Sequence, residues 1–109
     1  MNSADKELTA QTLKKLNQLA IEAIRHKNYQ QALDNFTQSL VLEEKLGMQA
    51  QMAESFFNIA ATYYLMENYE EALKKAKFAL TLFKQENKAD DAIKTQEMID
   101  EIEEKRRKS

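Results

Sequence analysis

Few side chains in this chain are equipped for chemistry. Its single histidine, His26, stands between Arg25 and Lys27, and there is no cysteine. Without a thiolate or a second imidazole, a metal site and a histidine-activated nucleophile both lack their parts. No catalysis and no cofactor are therefore expected. Acidic residues gather at Asp100, Glu101, Glu103 and Glu104, and basic ones at Lys105, Arg106, Arg107 and Lys108. Nothing cleft-forming surrounds those carboxylates, and cations at a helix C-terminus suit its dipole, so both runs read as solvated helix surface. Non-specific contact with nucleic acid is the alternative for the basic run. Phe57, Asn58 and Tyr64 offer more. The two aromatics lie two helical turns apart beside an amide that both donates and accepts, which suits holding a peptide backbone. The competing reading packs both rings inside the fold and keeps the Asn58 hydrogen bonds internal.

These residues must be positioned by helices. Of 109 residues, 43% are hydrophobic and 31% charged, with one glycine and no proline, a composition suited to long uninterrupted helices and one all-α domain. A formal net charge of -2 gives no global field toward nucleic acid or an anionic membrane. The first residues are polar and no apolar run approaches the ~20 residues of a membrane span. A soluble cytoplasmic protein is expected. Asn35-Phe36-Thr37 fits a glycosylation sequon, but Phe36 falls at an expected core position, so the match reads as chance.

One stretch is written twice. Asn28-Tyr29-Gln30-Gln31-Ala32-Leu33 returns forty residues later as Asn68-Tyr69-Glu70-Glu71-Ala72-Leu73, each copy between two helical apolar patterns. The unit is a pair of antiparallel helices, and a fixed period of this size signals a stacked-repeat architecture. The expected pairs span about residues 5–46 and 49–86, with a capping helix at about 91–105. Helix one is capped at Ser3 or Asp5, and Gly47, the only glycine, closes helix two in a left-handed conformation. Ala92, Ile93, Ile99 and Ile102 form the inward stripe of the last helix.

On this period the first pair reads Leu16-x2-Leu19-Ala20-x2-Ala23, then Ala32-x3-Phe36 and Ser39. The second reads Phe56-x2-Ile59-Ala60-x2-Tyr63, then Ala72-x3-Ala76 and Ala79. This resembles the tetratricopeptide repeat (TPR), in a longer variant of about forty residues. Ala20 and Ala60 stand for the motif's glycine, Ala76 for its second aromatic, and the closing proline is missing. The extra residues fall around Glu43 to Met52, in the turn between repeats and the helix ends beside it. The resemblance implies a right-handed superhelix of two repeats plus a C-terminal cap.

It also implies a concave groove lined by the first helix of each pair. The matching positions are Lys14, Asn17, Gln18, Ile21 and Arg25 in helix one, Phe57, Asn58, Ala61, Tyr64 and Leu65 in helix three, and Lys94, Glu97, Met98 and Glu101 in helix five. The family's clamp for a chaperone C-terminal carboxylate is not expected. Only Asn58 matches it; Asn17 and Ile21 replace its first cation and amide, and Glu97 and Glu101 would repel the ligand. The expected function is a protein–protein interaction module, an adaptor or scaffold holding a peptide or helix of another protein. Its rival is a structural, self-associating homodimer, because roughly three repeats are usually needed for a stable stack.

Overall fold

The structure, a computed structural model, describes residues 2–109. Five helices follow in order, α1 (Ser3–Arg25), α2 (Tyr29–Lys45), α3 (Gln49–Leu65), α4 (Tyr69–Gln85) and α5 (Ala89–Lys108), with no strand among the described residues. Asn2 caps α1 by accepting the Asp5 amide at 2.9 Å, so the cap precedes both residues expected to supply it. Extensive packing joins only consecutive helices. The body measures 50 × 33 × 18 Å, two helix diameters thick, as a stack of hairpins should be.

Every corner is built alike. Lys27, Gly47, Glu67 and Asn87 each adopt positive φ, at 62°, 67°, 60° and 56°. The next amide reaches back to a carbonyl five residues earlier: Asn28 to Ala23 at 2.7 Å, Met48 to Glu43 at 2.9 Å, Asn68 to Tyr63 at 2.9 Å and Lys88 to Phe83 at 2.8 Å. The left-handed residue bonds three back, as Lys27 does to Ile24. This bond pair is the Schellman stop, which satisfies carbonyls a helix end would otherwise leave open. The carbonyls of Asn28, Met48, Asn68 and Lys88 then accept the first amide bond of the following helix. Three residues close one helix and open the next.

Helices α2, α3 and α4 are each 17 residues long. With three-residue turns, the period of forty follows. The residues beyond a shorter repeat thus lengthen the helices; the turn at 46–48 is no longer than the others. The cap α5 begins at Ala89 and ends at Lys108, wider than 91–105 at both ends, because Lys88 opens it with the same corner as every other helix.

The core repeats with the chain. One cluster joins Ala20, Ala32, Leu33, Phe36 and Ile59; its counterpart forty residues on joins Ala60, Ala72, Leu73, Ala76 and Ile99. Ala20, Ala32, Ala60 and Ala72 are wholly buried, so their small side chains set how closely paired helices approach. Where the first copy has Phe36 with Ala23, the second has Ala76 with Tyr63, exchanging volume across the contact. Ile99 and Ile102 of α5 are buried, whereas Ile93 is exposed, contrary to the inward stripe expected for it. Asn35, in the sequon, is buried beside Phe36, and its Nδ2 has no hydrogen-bond partner among the described residues.

Candidate functional site

Helices α3 and α5 present parallel stripes on one side of the stack, separated at one end by a cleft of about 230 Å³. Glu54, Phe57 and Asn58 of α3, Phe83 of α4, and Asp91 and Lys94 of α5 line it. Spacings of three and four keep each helix's contribution on one face. Phe57 is half-buried and packs against the small cluster of Ala53, Ala79 and Phe83, so its ring serves core and cleft together. Asn58 gives its backbone carbonyl to the Thr62 hydroxyl at 2.8 Å. Its side-chain amide has no hydrogen bond among the described residues and lines the cleft.

Two turns along, Tyr64 is drawn inward. It packs on the cluster of Ala60, Ile99 and Ile102, and its ring lies 5.8 Å from that of Tyr69. Burial, followed by a hydrogen bond to the Glu101 carboxylate, holds its phenol above the ordinary range. Ala61 is half-buried between these two sites, while Glu97 and Leu65 remain exposed.

The α1 candidates are not gathered in the same way. Asn17 is half-buried and accepts from the Ser39 hydroxyl of α2 at 3.4 Å. Lys14, Gln18 and Ile21 are exposed, and Arg25 pairs with Glu22 of its own helix at 3.2 Å. The basic run at the end of α5 is partly occupied as well. Arg106 reaches Glu70 of α4 at 3.2 Å, while Arg107 and Lys108 both pair with Glu104, whose carboxyl they hold below its usual range. His26 sits at the α1 C-terminus with Nδ1 3.1 Å from the Glu22 carbonyl oxygen.

One ionisable group went unread in the sequence. Glu43 is 2% exposed at the junction of the two hairpins, where its Oε1 accepts from the Ser55 hydroxyl at 2.7 Å. Burial pushes its pKa from 4.5 to about 7; the Ser55 bond opposes that rise and the nearby Glu54 charge adds to it. The signal was available. On the period of forty Glu43 aligns with Phe83, a core position of the second copy.

Residues 54–86, which hold most of α3 and all of α4, match the model of the tetratricopeptide repeat. That hairpin is identified as a tetratricopeptide repeat. None of the curated proteins matches its sequence. In the TPR hairpin so matched, the buried alanines stand where α3 and α4 cross, and α1–α2 reproduces them forty residues earlier. TPR units are in general protein–protein interaction modules. Among the described residues, no helix is long and apolar enough to cross a membrane, and no three His, Cys, Asp or Glu side chains converge to hold a metal ion.

Proposed function

We propose that this TPR chain is an adaptor that holds a peptide or helix of another protein along the α3–α5 face, on the cleft floored by Phe57. The supporting observation is the Asn58 amide, half-buried beside that cleft with no hydrogen-bond partner among the described residues. Its nitrogen and oxygen are not cut off from water, so a bound main chain would take the place of solvent there. Asn58 offers a donor and an acceptor to a peptide main chain, and Phe57 with Phe83 offers apolar surface to a side chain. Aromatic anchors of this kind tend to dominate interface energy.

The test is a pulldown from native cell extract with the wild-type chain, Asn58→Ala, and Lys14→Ala. Asn58→Ala leaves the core untouched and is expected to lose the specific partner, while Lys14→Ala on α1 retains it. Equal capture by Asn58→Ala and wild type would refute groove binding at this cleft.

A self-associating TPR dimer is supported by a different face. Leu19 is 38% exposed, whereas its counterpart Ile59 is 4% exposed beneath the preceding hairpin. A shallow depression between α1 and α2, lined by Leu16, Val41 and Leu42, lies open at the same end of the stack. Sedimentation across a hundredfold concentration range distinguishes the readings. A dimer that dissociates on Leu19→Lys favours self-assembly; an unvarying monomer excludes it.

A further inference from the structure

The α3–α5 face carries charge mainly of one sign. Glu54 opens the α3 stripe that continues through Phe57, Asn58, Ala61 and Tyr64, and the facing α5 stripe holds Asp91, Lys94, Glu97 and Glu101. Four carboxylates thus share the face with one ammonium. None of these five groups is in an ion pair among the described residues, although Lys and Arg side chains elsewhere on the surface find carboxylates readily. At one end Glu54 and Asp91 flank the apolar floor of Phe57 and Phe83; toward the other, Glu101 accepts the Tyr64 hydroxyl. The cleft volume of about 230 Å³ falls below the ~300–1,000 Å³ of pockets that enclose whole small molecules, and suits one large side chain.

Resting on the groove reading above, we propose that the occupant is a cationic peptide segment, with one large apolar residue seated on Phe57 and Phe83 and lysines or arginines on either side of it facing Glu54, Asp91, Glu97 and Glu101. Complementary charge sets specificity and encounter rate more than affinity. Exposed pairs are individually weak, so the apolar anchor supplies the hold and the acidic rim rejects anionic segments. This polarity is opposite to that of a site for a C-terminal carboxylate, which needs cations where Glu97 and Glu101 stand.

A random dodecapeptide library displayed on phage, panned against the full wild-type chain at 50 mM salt, tests the assignment. Enriched peptides are then measured by fluorescence polarisation against wild type, Asn58→Ala, Phe57→Ala and the double variant Glu54→Lys/Glu97→Lys. Both positions of the double variant are exposed, so the fold is retained. The expected peptides carry net positive charge around an aromatic or leucine. They should bind the double variant at least tenfold more weakly and lose affinity as salt rises. Neutral or acidic winners, or unchanged affinity for the double variant, overturn the cationic assignment. If such peptides still lose binding on Asn58→Ala or Phe57→Ala, the groove stands and only the charge preference falls. If no peptide enriches, or none of the variants weakens binding, both fall.

Discussion

Glu43→Gln should stabilise this protein, and by an amount that depends on pH. The carboxyl is buried between hairpins, with Ser55 as its hydrogen-bond donor and the Glu54 charge nearby, and its pKa rises from 4.5 to about 7. An acid with a raised native pKa binds its proton more tightly when folded. Its contribution is therefore complete below about pH 4.5 and is lost as pH climbs through about 7. At about 1.4 kcal/mol per pK unit, ionising Glu43 costs the fold roughly 3–4 kcal/mol above neutrality. Glutamine keeps an oxygen for the Ser55 hydroxyl and carries no charge. Urea unfolding followed by the helical circular dichroism signal, from pH 4.5 to 8, should show the two proteins nearly equal at the acid end. The variant should lead by roughly 3 kcal/mol at pH 8, a large share of the ~5–15 kcal/mol typical of a domain. The difference between the two curves matters, because other carboxylates titrate in both proteins. A gap that is constant across pH would mean that shape, and not charge, separates the side chains; a variant less stable at pH 8 would refute the reasoning outright.

Other substitutions probe the corners and the crossings. A Cβ at Gly47 would meet nothing within 4 Å, so Gly47→Ala is expected to cost about 1 kcal/mol through backbone conformation alone. Lys27→Gly, at a matching left-handed position, should gain up to about 1 kcal/mol, both read from urea midpoints. Ala72→Leu at the wholly buried crossing should destabilise by about 1–3 kcal/mol through overpacking, seen as a lowered melting midpoint. Spectrophotometric titration should find a phenol displaced above pH 10 by burial and Glu101, and Tyr64→Phe should delete it.

The helical stack was legible because the signal is redundant: two copies of Asn-Tyr-x-x-Ala-Leu, and apolar residues at helical spacing on either side of each. Gly47 could be placed at a corner from its residue type. Lys27 and Glu67 could not, since nothing in a lysine or a glutamate announces positive φ; only the period of twenty between corners reveals them. Ile93 misled for a related reason. It is apolar and sits beside Ala92 on a helix whose Ile99 and Ile102 are buried, yet it is 59% exposed. Of the candidate site, sequence spacing put Phe57 and Asn58 on one stripe. It could not tell that Phe57 also packs on Ala79 and Phe83, or that Tyr64 turns to Tyr69 and Glu101, because spacing within one helix does not say which residues of α4 and α5 meet its stripe.

Because each corner is fastened by main-chain bonds and asks little of its side chains, the stack tolerates some length changes and not others. A whole antiparallel pair of forty residues spliced between two corners would restore both direction and register. One residue inserted inside a rod would instead rotate everything downstream by roughly 100°, carrying Leu33 or Leu73 toward water. Length variation among chains of this kind should therefore come in complete hairpins, with single-residue indels confined to the ends.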